Sequence, residues 1–325
     1  MSPPSALANE RATPVWPMVK RVLTVVFFVL VTWLLFRQAR TIDWAHVGAS
    51  VRALPHAVLA VGAALALASH LLYSTFDLFG RHLTGHGLGT GRVMLVTFIS
   101  YAFNLNLGAL VGGFAFRYRL YARLGLANDV TTRVLTMSML TNWFGYTVLS
   151  GVVLLLRPLA LPPDWKVGLA GLHVLGGVLL VLAATYLLAC AASKKRSWTV
   201  RGHEIALPSW RMAGMQLVVS CAHWLLTAGI LHVLLQQRIP YAIVLNVLLI
   251  AALAGVISHV PAGIGVLEAT FVALLSHQVP KGELLGALLT YRAIYYLVPL
   301  SVATVAYLFV ESRAKALAED PDPGD

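Results

Sequence analysis

Eight stretches of this chain contain no Asp, Glu, Lys or Arg: residues 22–36, 56–76, 93–116, 134–156, 167–193, 212–237, 239–267 and 293–310. Most of them reach the roughly 20 apolar residues with which a helix crosses a hydrocarbon layer. Charged residues make up 11% of the chain, against about 25% in soluble proteins, so too few remain to clothe a water-facing surface of this size. In hydrocarbon each backbone N–H and C=O must be paired within the segment, which leaves helices as the spanning element. The expected fold class is therefore an all-α polytopic membrane protein of about eight transmembrane helices, with one or two re-entrant or broken glycine-rich segments, at 258–276 and 104–116. The window 22–36 is short and spans only if Lys20, Arg21 and Arg37 snorkel at its ends. A secretory signal is the competing reading, but Gln38-Ala39-Arg40 is a poor cleavage site, and a retained anchor is expected.

No polar connection is long enough to bury a core of its own; the longest is 194–211. The expected organisation is a disordered flank at 1–17, a transmembrane domain at 18–312 and a disordered acidic tail at 313–325. A net charge of +11 is spread over short loops, with no soluble basic face on which nucleic acid would dock, so anionic lipid headgroups are the expected partner. Lys and Arg, counted over the connections of an eight-span chain, divide almost evenly and leave orientation open. Cys190 and Cys221 lie within apolar windows, away from any ligand spacing, and read as packing residues. No metal or cofactor site is expected.

Two apolar windows carry polar, glycine-rich interruptions. Ser258-His-Val-Pro-Ala-Gly-Ile-Gly-Val-Leu-Glu268 places Pro261, Gly263 and Gly265 where a spanning helix should be unbroken, and Glu268 where a carboxylate is expensive. Broken helices at membrane depth are tolerated where protein or a cavity receives the freed backbone groups, and an intramembrane acid marks a functional site. The earlier segment runs from Phe103 to Tyr121. In it Asn104 and Asn106 can cap freed backbone, Gly108, Gly112 and Gly113 permit a break or close approach, and Arg117, Arg119 and Arg123 follow. Paired discontinuous segments in the two halves of a membrane chain point to a transporter site.

The segment 258–268 resembles the Pro-Gly-Gly-Ile-Gly-x-x-Glu motif of the lysylphosphatidylglycerol synthase transmembrane-region family, with Ala262 at its first glycine and Pro261, Gly263, Ile264, Gly265 and Glu268 in register. Asn104–Tyr121 is similar to the Asn-x-Asn-x-Gly…Gly-Gly…Arg-x-Arg-Leu-Tyr stretch of the family's stand-alone, YbhN-like bacterial inner-membrane branch. The resemblance implies a multi-pass inner-membrane domain that, in fused members, translocates an aminoacylated phospholipid made by a soluble synthase domain, which this chain lacks.

Each candidate residue carries a plainer reading beside the functional one. Glu268 also suits the first turn of a helix, where the macrodipole favours an acid. Arg292 is either a boundary residue or, if the last helix starts near Leu284, lies about 12 Å inside it, positioned to pair with Glu268 or to bind a lipid phosphate. Arg117, Arg119 and Arg123 are ordinary boundary anchors or headgroup ligands; Arg119 and Arg123 share a helix face at i,i+4 and Arg117 does not. Asn142, His173, Gln216, His223, His232 and Asn246 read as interhelical hydrogen-bonding residues, while His70 and His259 are candidates for a proton relay.

No HExxH, GxSxG, P-loop or GxGxxG arrangement is present. The function expected is translocation of a phospholipid or other anionic, lipid-linked headgroup between leaflets. A non-transporting partner of a separate lipid-synthesis enzyme, and a membrane-embedded lipid-modifying enzyme using Glu268 as a base, are the alternatives. The Gly108/Gly112 spacing suits a homo-oligomer as well as packing within one chain.

Overall fold

The computed structural model describes residues 52–157, 168–193, 197–200, 203–258, 260, 263 and 265–319, together with residues 22, 25, 26, 29, 33, 36, 40 and 49. The chain forms two compact units, 1–42 and 43–325. In the first, the described residues Val22, Val25, Val26, Val29, Trp33, Phe36 and Arg40 are helical and exposed, and the Arg40 guanidinium lies 4.3 Å from the Phe36 ring centre. The flank 1–17 and most of the first expected span lie outside the described residues.

The second unit contains α1 (His56–Ser74), α2 (Phe76–Thr84), α3 (Thr90–Leu107), a π-helical turn (Ala109–Ala115), α4 (Phe116–Arg123), α5 (Asn128–Leu156) and α6 (Leu169–Ala192). A small antiparallel hairpin follows, β1 (Ser197–Val200) with β2 (His203–Ala206), in the longest polar connection. Then come α7 (Trp210–Leu234), α8 (Tyr241–Ser258), α9 (Val266–Leu275), α10 (Lys281–Arg292), a second π turn (Ala293–Leu297) and α11 (Val298–Glu319). Among the described residues six helices are long and apolar enough to cross a membrane: His56–Thr84, Asn128–Leu156, Leu169–Ala192, Trp210–Leu234, Tyr241–Ser258 and Lys281–Ser312. Of the stretch 313–325, residues up to Glu319 continue α11, and 320–325 lie outside the described residues.

The window 93–116 departs from the simple eight-span expectation because it is not one crossing. Gly108 takes φ +83°, a left-handed value open to glycine, and the chain reverses there. Phe103 and Phe116 stack at 4.0 Å between ring centres, whereas in one continuous helix they would stand about 20 Å apart. His86, before α3, meets the ring of Tyr121, at the end of α4. Both arms therefore start and finish at the same end of the bundle. The reversal is tight enough that a Cβ on Gly112 would lie 2.1 Å from the Asn104 backbone nitrogen.

The window 239–267 folds in the same way. Helices α8 and α9 pack against each other, and Arg238, before α8, makes an ion pair with Glu283, just after α9. This second re-entrant hairpin enters from the opposite end to the first. The full-length helices place the ends: Asn246 in α8 donates to the Arg157 carbonyl that closes α5, and Arg119 and Arg123 at the end of α4 reach Glu311 near the far end of α11.

Helix α1 packs against α7, and α5 against α2, α6 and α7. Small residues set the closeness: Gly145 faces Ser220, where an added Cβ would stand 2.3 Å from Oγ, and Gly151 and Gly176 bring α5 and α6 backbone to backbone. The core, with Ile230, Leu234, Val247, Phe271, Leu288 and Tyr295, lies among α7–α10 and the second π turn. Outward faces remain apolar: Val174, Val178 and Val181 on α6, and Val298, Val302 and Val305 on α11, are all at least half exposed. Surfaces this apolar suit hydrocarbon rather than water.

Candidate functional site

The tips of the two hairpins meet at one turn of the last long helix. Pro299 has no N–H for the carbonyl four residues earlier, and the helix widens into the π turn Ala293–Leu297 just before it. From one end of the bundle, Asn106 near the tip of the first hairpin donates Nδ2 to the Tyr296 carbonyl at 3.2 Å and to the Ala102 carbonyl at 2.9 Å. From the other, the tip of the second hairpin brings Glu268 and the Gly263 carbonyl to Arg292, at the C-terminus of α10.

Arg292 and Glu268 form a two-point fork: Nε–H donates to Oε1, and Nη2 donates to Oε2 at 3.0 Å. Nη2 also donates to the Gly263 carbonyl at 3.0 Å, and the guanidinium carbon lies 5.3 Å from the Tyr296 ring centre. Arg292 is only 7% exposed. Glu268 occupies the first turn of α9, after Gly265 at φ +77°, so the helix N-terminus and the guanidinium both favour its charge. Of the five donor hydrogens of Arg292, the two on Nη1 make no hydrogen bond among the described residues.

The three arginines of the first hairpin divide by helix face. Arg117 turns inward, 4% exposed, with Nε donating to Asp77 Oδ2 at 3.2 Å and Nη2 to Ser138 Oγ at 3.4 Å. Tyr121 donates to the same Asp77 oxygen at 2.8 Å. Arg119 and Arg123, four residues apart, share Oε1 of Glu311, and Arg119 Nε donates to Tyr307 at 2.9 Å. In the adjoining loop, burial and the nearby Arg81 charge hold the His86 imidazole below its ordinary value, so a neutral ring lies against Tyr121 at neutral pH.

Behind the π turn lies a buried hydroxyl cluster. Ser69 Oγ is within hydrogen-bond distance of His223 Nδ1 (3.0 Å), Thr227 Oγ1 (3.3 Å) and Tyr295 OH (3.1 Å). Tyr101 OH lies 3.0 Å from Tyr295 OH and 3.3 Å from His223 Nε2. His70 packs its ring against Tyr295. These residues come from α1, α3, α7 and the second π turn, so the cluster joins the first hairpin to the helix that both tips touch.

Among the candidates read from the sequence, Arg292, Glu268, Gly263 and Gly265 come together, and Asn106 of α3 bonds the Tyr296 carbonyl one turn beyond Arg292. Asn104 lies at the first reversal, its side chain against Gly113. Arg117, Arg119 and Arg123 lie apart from Arg292, on their own carboxylates. His259 and Pro261 fall outside the described residues. Asp77, Glu311, Tyr295 and Tyr296 were not singled out from the sequence. Asp77 and Glu311 each stand one residue past a charge-free window. The described residues contain no cluster of His, Cys, Asp and Glu able to hold a metal.

A family model described as the lysylphosphatidylglycerol synthase TM region matches residues 21–303. The chain is 43% identical over 309 residues to inner membrane protein YbhN of Escherichia coli (strain K12), covering 95% of this chain and 97% of that protein. It is 30% identical over 266 residues to the uncharacterized protein slr0712 of Synechocystis, covering 81% and 82%. A shorter match, 35% over 96 residues, links 28% of this chain to 11% of the phosphatidylglycerol lysyltransferase of Staphylococcus haemolyticus. The placement in that YbhN's name, the inner membrane, agrees with the multiple membrane-crossing helices found here. By the extent of the family match and by its near full-length likeness to YbhN, this multi-pass membrane protein belongs to the lysylphosphatidylglycerol synthase transmembrane-region family.

Proposed function

We propose that the chain is a lipid translocase that moves a phospholipid, or another lipid-linked anionic headgroup, between the leaflets of the bacterial inner membrane. The observation that carries this reading is Arg292: a guanidinium at the meeting point of two oppositely inserted hairpins, fixed by Glu268 and the Gly263 carbonyl, with the Nη1 hydrogens still unbonded among the described residues. Those hydrogens suit a phosphate oxygen, which a guanidinium grips with directional, charge-assisted bonds.

Glu268 has two tasks in this scheme. With the site empty it neutralises Arg292, and with a headgroup present it releases part of the fork to phosphate or receives a cationic group. Each hairpin tip closes the site toward one leaflet, and withdrawal of one tip at a time gives alternating access while the acyl chains remain in hydrocarbon. Arg119 and Arg123, where the first hairpin reaches the bundle end, attract headgroups to that mouth.

A second reading, a membrane partner that receives lipid from a separate lipid-synthesis enzyme without moving it, draws support from the short match to phosphatidylglycerol lysyltransferase. Vesicles decide between the two. Reconstituted protein should accelerate the movement of fluorescent anionic or zwitterionic phospholipids between leaflets, and both Glu268→Gln and Arg292→Ala should remove that acceleration. Unchanged transport in both variants would overturn the roles assigned here.

A further inference from the structure

The hydroxyl cluster behind the π turn has a fixed direction, and its end is a base. His223 Nδ1 lies 3.0 Å from Ser69 Oγ and 3.3 Å from the Ser69 carbonyl; a carbonyl only accepts, so the tautomer that satisfies both contacts carries its hydrogen on Nδ1, shared between the two oxygens. The Nε2 lone pair then accepts from Tyr101 OH, whose oxygen accepts from Tyr295 OH, whose oxygen accepts in turn from Ser69 Oγ. Thr227 donates back along its own helix to the His223 carbonyl. In this arrangement the Ser69, Tyr295 and Tyr101 hydroxyls form a relay that ends at His223 Nε2. His70 repeats the pattern: Nδ1 donates to the Ala66 carbonyl at 3.0 Å, and Nε2 is buried with no partner. The core thus holds two imidazoles with open or reversible lone pairs.

We propose that this cluster is a proton-binding site, with His223 Nε2 as the acceptor, and that proton movement through it drives lipid translocation; the proposal rests on the translocase reading. A proton from water on one side adds to Nε2, and the new Nε2–H donates to Tyr101. The Tyr101 hydroxyl then turns to Tyr295, and the Tyr295 hydroxyl to Ser69 or Thr227, so that each bond reverses without displacement of a heavy atom. Titratable groups facing His223 are His70 and Tyr73 from α1 and Tyr101 from α3, with Tyr295 of the π turn one hydroxyl farther on, bonded to Ser69 and Tyr101. Among the described residues no carboxylate makes a hydrogen bond or ion pair with it, and Asp77 is already paired with Arg117. An imidazolium in this closed packing has no counter-ion, so the closed arrangement holds the neutral ring and proton loading favours an open one. Tyr295 belongs to the same π turn as Tyr296 and adjoins Arg292, so the rearrangement is delivered to the lipid site.

The test uses proteoliposomes with a fluorescent phospholipid, a pH difference across the membrane, and an ionophore that collapses it. The natural protein should move lipid at least about fivefold faster with the gradient in one sense than after its collapse. In His223→Gln and in Tyr101→Phe, each checked for natural-like thermal unfolding, movement should persist without gradient dependence. Lipid movement indifferent to the gradient in the natural protein would overturn the coupling and leave the translocase reading standing. Gradient dependence retained in both variants would overturn this cluster as the proton site. Absence of any lipid movement would overturn the translocase reading, and the coupling with it.

Discussion

Arg292 and Arg117 are both buried guanidiniums paired with carboxylates, the first through a two-point fork and the second through a single bond, and the two pairs differ in what surrounds them. Asp77 is fully buried and its Oδ2 also accepts from Tyr121, while Arg117 reaches Ser138; that pair ties α2 to α4 and α5, and leaves Asp77 Oδ1 buried without a partner among the described residues. Removing one partner strands a charge in a dry core, so Asp77→Asn should lower the unfolding free energy by about 3–5 kcal/mol, read as a fall in the detergent-solubilised melting temperature. Glu283→Gln, in a pair half exposed on both sides, should change stability by no more than about 1 kcal/mol. The Glu268–Arg292 fork retains unbonded Nη1 hydrogens and slight exposure, as a ligand site requires. Glu268→Gln with Arg292→Met should recover melting behaviour relative to either single change and still fail in vesicles. If the double variant transports lipid, the fork is scaffold only.

At the scale of elements, the two glycine-rich interruptions were legible in the sequence as re-entrant or broken segments, without a choice between the two. A glycine shows that backbone freedom is present; the direction taken afterward depends on contacts such as Phe103 with Phe116, which no local pattern encodes. Helix α7 begins two residues before its charge-free window and α5 six residues before its own, while α10 lies wholly ahead of the window 293–310, because first-turn charges such as Asp129 and Glu283 sit within helices rather than before them. Asp77 and Glu311 were missed for a related reason. Each borders a window, and its partner lies 40 residues away in one case and 188 or more in the other. The i,i+4 argument, by contrast, needs only local geometry, and Arg119 and Arg123 do share a carboxylate. The first reversal makes a sharp prediction. Gly112→Ala drives a Cβ into the Asn104 backbone and should prevent the hairpin from closing, with loss of folded protein on size-exclusion chromatography. At Gly113 the nearest obstacle is a side-chain oxygen at 3.2 Å, so Gly113→Ala should yield folded protein with a modestly lower melting temperature.

For the whole molecule, two re-entrant hairpins change the arithmetic of orientation. Each returns to the end from which it came, so the connections before α3, after α4, between α6 and α7, and beyond α11 share one end of the bundle. That end carries Arg81, Arg92, Arg119, Arg123, Arg133, Arg211, Arg313 and Lys315 on described helices, and the stretch joining α6 to α7 adds Lys194, Lys195, Arg196 and Arg201 by chain order. The opposite end carries Arg52, Arg157, Arg238 and Lys281, with Lys166 in the stretch joining α5 to α6. The near-even division under eight simple spans becomes a clear excess, and positive charge is retained in the cytoplasm. In a cysteine-free background, Gly87→Cys and Ala127→Cys should both react from the cytoplasmic side with an impermeant thiol reagent, and Gln237→Cys and Lys281→Cys from the outer side. Labelling of 87 and 127 from opposite sides would refute the first hairpin. The convergence of both tips on one turn of the last long helix also bears on biosynthesis. Ribosomes release this chain from its N-terminus, so Tyr101, Asn106, Arg119, Arg123 and Glu268 are all made before Arg292, Tyr295, Tyr296 and Glu311, the groups they bind. Both hairpins must wait, half-latched in the bilayer, for the segment from Arg292 to Glu311 to emerge; whether a newborn copy matures or is degraded is decided by those twenty residues or so.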